Sequence, residues 1–256
     1  TNNLNVSFNI MTCLSFKDRY NLCLTSKSLF ETLFEKYQHN EIIVIQFEDY
    51  RLCDIWSNVK FRIDLRNSNI TDVSMLRNVN TLNLRDSNIT DVSILRKVHT
   101  LNLSYCDNIT DVSMLENVHT LNLSYSDNIT DVSMLGNVHT LNLRFCHNIT
   151  DVSMLGSVHT LNLSYCSNIT DISILGNKLN HIFCKKTKWN CHTLDLSGCL
   201  KITDVSMLGN VTILNLDNCP NITDISMLKN VNSLYLSDCI NITDVSMLGN
   251  VQNLDI

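Results

Sequence analysis

The chain has 256 residues, 44% hydrophobic and 17% charged, with one Pro, six Gly and a formal net charge of −6. This length and apolar content suffice for a sizeable core, and the scarcity of Pro and Gly argues against disordered linkers. The acidic balance argues against nucleic acid as the main partner, and no apolar run approaches the roughly 18 residues that a transmembrane helix needs.

Residues 1–38 do not repeat, and they predict a separate segment of two or three short helices. Apolar residues recur in it at helical spacing, as Ile10 and Leu14 do. Ser15, followed three residues later by Asp18, forms a capping-box-like helix start.

This segment also carries a motif that resembles the latter two-thirds of an F-box. The matching letters are Ile10-x-x-x-Leu14-Ser15-x-Lys17-Asp18 and Leu22-x-Leu24-Thr25-Ser26-Lys27. The opening departs from that pattern, because Asn2 and Asn3 stand where Leu-Pro belongs. The resemblance implies that the helices dock a Skp1-type adaptor of a cullin ubiquitin ligase. The anchors for packing or for the adaptor would be Ile10, Leu14, Leu22 and Leu24. A helical cap without adaptor binding is the alternative.

Residues 39–58 predict a degenerate capping repeat between the helices and the rest of the chain. Ile42, Ile45 and Phe47 keep the apolar spacing of the later repeats, and the surrounding EIIVIQF is strongly β-forming. Such a strand would cover the first edge of a sheet.

Residues 59–256 consist of a unit of about twenty residues that recurs almost letter for letter, beginning for example at Val98. The polar–apolar alternation of its TLNLS letters predicts a strand with one buried face. The following link is too short for a full helix, and Asp131 is positioned to cap a single turn in it. The predicted inward set of one coil is Val118, Leu121, Leu123, Ile129, Val132 and Leu135. Two earlier coils are one residue shorter.

The repeated V-x-x-L-x-L-x-x-C-x-x-I resembles the leucine-rich-repeat family. The resemblance implies an α/β repeat solenoid, a horseshoe or arc with one parallel β-strand per coil and short turns or 3-10 returns. Together with the amino-terminal motif, the chain resembles F-box/leucine-rich-repeat proteins.

Two polar columns of the repeat have a structural interpretation. Most cysteines share one repeat column in which Ser126 also stands, which predicts buried reduced thiols rather than disulfides. No paired C-x-x-C accompanies them, so we expect no metal and no cofactor. The Asn-Ile-Thr triplets are formal glycosylation acceptors, but we interpret them as turn residues around a core Ile.

The repeat is irregular at residues 178–190, where the link is replaced by KKTKW. This segment is either a decayed repeat with a solvated basic turn or a basic protrusion that grips a partner.

The outward side chains of the strands predict a partner-binding face. Polar columns of Thr, Asn and Ser are flanked by a His column and an aromatic column, and aromatic side chains often dominate binding energy. A uniform face without any ligand is the alternative. The proposed contact residues are His99, Asn102, Tyr105, His119, Asn122, Tyr125, His139, Asn142, Arg144, Phe145, His159, Asn162 and Tyr165. The third polar column consists of Ser104, Ser124, Arg144 and Ser164.

The sequence therefore predicts a binding protein and not an enzyme. No carboxylate pair, nucleophile elbow or phosphate-binding loop accompanies the histidines. The expected function is a substrate receptor of a Skp1–cullin–F-box ubiquitin ligase, whose solenoid holds an unidentified target protein. A free-standing interaction scaffold, such as a phosphatase regulator or adhesin, is the alternative. We expect no nucleic acid or membrane partner. With reduced cysteines and no visible signal peptide, we expect a cytoplasmic location (the host cytoplasm for a viral source), with the nucleus as the alternative.

Overall fold

The computed structural model describes residues 43–46, 61–68, 70–76, 79–176 and 191–256. The first compact unit of the chain ends at Ile43, so the description concerns the second, Val44–Ile256. Within the described residues, eleven strands follow one another in a single sheet in chain order. They are β1 (Ile43–Gln46), β2 (Phe61–Asp64), β3 (Thr81–Asn83), β4 (Thr100–Asn102), β5 (Thr120–Asn122), β6 (Thr140–Asn142), β7 (Thr160–Asn162), β8 (Thr193–Asp195), β9 (Ile213–Asn215), β10 (Ser233–Tyr235) and β11 (Asn253–Asp255).

Neighbouring strands from β2 to β11 pair in parallel, with equivalent repeat positions opposite each other. Thr81 pairs with Thr100, which is the predicted shorter step, and Thr100 pairs with Thr120, which is the regular one. Register also holds across the irregular region, because Thr160 pairs with Thr193. The stack is therefore continuous on both sides of residues 177–190.

Short 3-10 turns return the chain from one strand to the next, as the short link predicts. Those in the described part are Ser74–Leu76, Ser93–Leu95, Ser113–Leu115, Ser133–Asn137, Leu155–Ser157, Ser173–Gly176, Ser206–Asn210, Ser226–Asn230 and Ser246–Leu248. Asp131, the residue predicted to cap the turn, lies one residue before the N-cap Val132, and its Oδ1 accepts a hydrogen bond from the Ser133 backbone N–H at 2.9 Å. The same bond recurs with equivalent Asp and Ser residues along the stack.

The core consists of columns of similar apolar residues at equivalent positions of successive coils. All six residues of the predicted inward set from Val118 to Leu135 are at most 2% exposed. Equivalent Val, Leu and Ile residues are buried from Ile63 to Leu236. Because a single coil has no second layer to cover its apolar side, stacking is what forms this core.

Several predictions lie outside the described residues. These are the helical segment 1–38 with Ile10, Leu14, Leu22 and Leu24, most of the capping repeat 39–58, and the basic segment 178–190. No helix in the described part is long and apolar enough to cross a membrane.

Candidate functional site

The Asn column of the sheet face shapes the backbone as well as lining the surface. Asn102, Asn122 and Asn142 are half-buried. The Oδ1 of Asn102 accepts the backbone N–H of Ser104 at 3.0 Å, and the equivalent bond recurs in the following coils. Asparagine closes such local turns readily. The predicted contact residues of this column are therefore also turn formers.

The turn after each of these strands places one residue in the left-handed backbone region. Polar residues or Gly, which adopt that region at little cost, occupy the position at both ends of the stack. They are Asn67, Asp86, Gly198, Asn218 and Asp238. In the four central coils the position holds Tyr105, Tyr125, Phe145 and Tyr165, with φ between 59° and 61°. Large side chains are rare there, so these four carry backbone strain on the order of 1 kcal/mol each.

These four aromatic residues form a stacked row, which we call the ring ladder. Their ring centroids are 4.3, 4.6 and 4.5 Å apart in chain order. At one end the Arg85 guanidinium lies over Tyr105 at 4.7 Å. At the other end, a Cβ added to Gly198 would lie 2.6 Å from the Tyr165 ring, so this ring rests on the glycine. Because the ring faces are stacked on one another, the ladder presents ring edges and phenolic hydroxyls outward.

Arg144 adds a positive charge beside the ring ladder. Its guanidinium carbon lies 4.9 Å from the Phe145 ring centroid and 5.2 Å from that of Tyr165. The Arg144 Nε is buried and has no hydrogen-bond partner within the described part of the chain.

The histidine column forms a second stack at the other end of the strands. The rings of His99, His119, His139, His159 and His192 stack at successive centroid distances of 4.5 to 4.9 Å. In each of these coils Nδ1 lies 3.2 Å from the Oγ1 of the following Thr. Desolvation and the charge of the neighbouring imidazole lower the pKa of His119, His139 and His159. Parallel stacked rings do not converge on one point, and no metal-binding cluster of three or more ligands occurs among the described residues.

The prediction for the third polar column is wrong for its serines. Ser104, Ser124 and Ser164 are at most 6% exposed, because a hydroxymethyl group is short beside the neighbouring Asn and ring side chains. Of that column only Arg144 reaches the surface. The sheet face therefore exposes fewer polar columns than predicted.

The cysteine column is a buried row of free thiols in the described coils, as predicted. Each thiol donates to a carbonyl of the preceding coil, for example Cys166 Sγ to Leu143 O at 3.1 Å. Ser126 makes the same bond to Leu103 O. Burial raises the pKa of these thiols, to about 12 for Cys199.

The Asn-Ile-Thr asparagines hold adjacent coils together, which supports their interpretation as turn residues. Asn148 Nδ2 donates to Asp127 O at 2.8 Å, and Asn168 Nδ2 donates to His147 O at 2.7 Å. The atom that a glycan would modify is therefore engaged in the stack.

Sequence reasoning missed a column of exposed apolar residues on the turns, opposite the sheet face. Five methionines make up most of this column, and their exposed fractions range from 42% to 54%. They are Met114, Met134, Met154, Met207 and Met227. The signal was present in the sequence, since the repeated Ser-Met-Leu of the link puts Met between a polar residue and the buried Leu.

The fold is similar to those of solved bacterial proteins. An internalin (InlF) from Listeria monocytogenes matches with a TM-score of 0.57 and 25% identity, covering 79% of this chain and 68% of that chain. Internalin C2 from the same organism has a TM-score of 0.42 and 21% identity over 83% of this chain and 74% of its own. The leucine-rich-repeat domain of the type III effector XopL has a TM-score of 0.45 and 15% identity, and the match covers 90% of this chain and 82% of that chain.

The parallel sheet with 3-10 returns, together with the similarity to internalin InlF, confirms the predicted leucine-rich-repeat solenoid. No protein-family model matches the chain, and no curated protein matches it either.

Proposed function

We propose that this chain is a protein-binding scaffold whose sheet face, centred on the ring ladder and Arg144, holds a target protein. The strained backbone of the four aromatic residues carries the proposal. Flanking coils use Asn, Asp or Gly at this position, so the fold does not require a ring there. Strain of this kind concentrates at functional sites.

The chemistry of this face favours a partner with acidic or carbonyl groups. Ring edges, phenolic hydroxyls and the guanidinium of Arg144 are electropositive or donor groups, and Arg and Tyr are common at the centres of interfaces. Desolvation and a hydrogen bond with Tyr125 raise the pKa of Tyr105, so its hydroxyl stays protonated at neutral pH.

The more specific proposal is that the scaffold is the substrate receptor of a Skp1–cullin–F-box ligase. Its support is the F-box-like motif of residues 10–27 in a chain that also contains a solenoid suited to holding a target. In that arrangement residues 1–38 dock the adaptor, and other subunits carry out ubiquitin transfer. The free-standing scaffold remains the competing proposal, in which the same helices only cap the stack.

Co-purification of the full chain with a Skp1-type adaptor tests the receptor role. We expect complex formation, loss of the complex in Leu14→Glu, and retention in Lys17→Glu, which changes a neighbouring position outside the proposed anchors. No binding by the full chain would support the free-standing scaffold instead.

Proximity labelling in cells, repeated with a Tyr125→Asn/Tyr165→Asn variant, tests the sheet face. We expect labelling of the target to fall by about tenfold or more, since central aromatic anchors dominate interfaces. Adaptor binding should be unchanged. Undiminished labelling of every partner by a folded variant would contradict the assignment of this face.

A further inference from the structure

The turn side of the solenoid carries an exposed apolar stripe that the proposed function does not use. Met114, Met134 and Met154 lie on consecutive coils, and Met207 and Met227 continue the column beyond the irregular segment. Exposed fractions of 42% to 54% over five methionines amount to an area on the order of 400 Å². The largest apolar patch of a typical monomeric protein has about this area and is often functional. Methionine is also the side chain that adapts best to varied apolar partners.

A stripe of carboxylates runs parallel to the methionines. Before each turn stands an Asp that accepts the backbone N–H of the Ser two residues later, and all of these Asp residues are exposed in the described coils. They are Asp72, Asp91, Asp111, Asp131, Asp151, Asp171, Asp204, Asp224 and Asp244. Hydrogen bonds from the following Ser lower the pKa of these carboxyls, so they remain ionised at neutral pH.

The two stripes meet in shallow clefts between successive coils. One cleft is lined by Asp111, Asp131 and Met134, and the next is lined by Asp131, Asp151 and Met154. Each cleft therefore offers two carboxylates beside one thioether. A Lys or Arg side chain fits this combination, because its aliphatic stem can lie on the methionine while its charge reaches the carboxylates.

Nothing on the described turns neutralises the central carboxylates. Between residues 98 and 228 the only Lys or Arg side chains in the described part are Arg144 and Lys201. Arg96, Lys97 and Lys229 lie at the turns on either side of this range. Arg144 lies on the sheet face over the rings. Lys201 donates to Asn168, which is one of the Asn-Ile-Thr asparagines. A cationic partner would supply the missing charge and relieve repulsion between neighbouring Asp residues.

The spacing of the stripes identifies the secondary structure that matches them. Paired strands set a repeat of about 4.8 Å per coil. A helix lying along the stack advances about 5.4 Å per turn, so it drifts by only about 3 Å over five coils. An extended strand advances about 6.6 Å for every two residues, and its drift over the same five coils is about 9 Å.

We propose that the turn face binds a cationic amphipathic helix of a partner protein, laid along the methionine stripe with its basic residues over the aspartate stripe. The apolar residues of that helix contact Met114 to Met154, one per turn. Its Lys or Arg residues enter the clefts between coils. This surface is separate from the sheet face, so one solenoid can hold two partners at once.

The probe is a 14-residue peptide of Leu and Lys, ordered so that a helix would carry Leu on one face and Lys on the other. It is titrated into the full chain labelled with ¹³C-methyl methionine. We expect the methyl signals of Met134 and Met154 to shift on binding. Met134→Gln/Met154→Gln should weaken binding about tenfold. Asp131→Asn/Asp151→Asn should weaken it several-fold, while keeping a side-chain oxygen that can cap the turn.

Two control peptides and one control variant test whether binding depends on a helical arrangement, on basic charge and on the turn face. A peptide of the same composition in alternating order should bind at least several-fold more weakly, and one with Glu in place of Lys should not bind. Tyr125→Asn, on the sheet face, should leave peptide binding unchanged. Equal binding of either control peptide, or undiminished binding by the methionine variant, would overturn the proposal.

Discussion

At the scale of single residues, the position with left-handed backbone after each strand accepts two kinds of residue. Asn, Asp and Gly satisfy it in the flanking coils, whereas Tyr and Phe fill it in the centre. Stacking offsets part of their strain, since an aromatic pair contributes about 0.5–1.5 kcal/mol beyond area burial. Rings are thus tolerable where they have ring neighbours and costly where they do not.

This balance predicts different effects on the free energy of unfolding for two substitutions at equivalent positions. Tyr125→Asn loses two stacking contacts but relieves the backbone, so we expect the free energy of unfolding to change by less than about 1 kcal/mol. Asn218→Tyr adds strain beside Gly198 and Asp238, which offer no ring, and should destabilise by about 1 kcal/mol or more. Urea denaturation measures both, and a stabilising Asn218→Tyr would refute the argument.

At the scale of elements, the 3-10 turns pack on one another as closely as the strands do. A Cβ added to Gly176 would lie 1.8 Å from Met207 O, although residues 177–205 separate the two turns in sequence. This contact joins the coils on either side of the irregular segment. Glycine is required there by the close approach of the backbone and not by its φ angle.

Gly176→Ala should therefore destabilise the solenoid by about 1–3 kcal/mol, because the two turns must move apart. Gly249→Ala is the matched control, since a Cβ there meets nothing within 4 Å. It should be neutral or slightly stabilising, as Ala is the better helical residue. Equal denaturation midpoints for the two variants would show that the turns are not tightly packed.

At the scale of the whole molecule, the stacked His and Cys columns make stability depend on pH, at acid and at alkaline pH respectively. His119, His139 and His159 have lowered pKa values. Below pH 6.5 the unfolded chain therefore binds protons more readily, and stability falls as the pH falls. Buried thiols have raised pKa values, to about 11 for Cys146 and about 12 for Cys199. Above their ordinary value of 9.0 the unfolded chain loses protons first, and stability falls as the pH rises.

We expect thermal stability to be highest between about pH 6.5 and 9 and to decline on both sides, by up to about 1.4 kcal/mol per pH unit for each buried thiol on the alkaline side. Melting curves by circular dichroism from pH 5 to 10.5 measure this profile. Cys146→Ser/Cys199→Ser should make the alkaline decline shallower and leave the acid side unchanged, because a hydroxyl does not titrate there and Ser126 already fits the column. An alkaline limb unchanged in that variant would contradict the role of the thiols.

The sequence by itself determined the architecture of residues 59–256 and the inward columns. A repeat of near-identical units leaves one way to bury the recurring Val, Leu and Ile columns, and the alternation in TLNLS assigns the strand to that unit. It also indicated the Asp that hydrogen-bonds each turn and the reduced cysteines, because both depend on residue type and local spacing.

Only the tertiary structure decided which polar side chains remain exposed and which rings bear strain. Burial of Ser104 depends on the height of its neighbours, and the left-handed φ of Tyr105 follows from the turn that Asn102 closes. The exposure of Met134 beside Asp111 and Asp131 arises from turns of different coils brought together. Local spacing governs what one coil does, whereas the binding surfaces are built from contacts between coils.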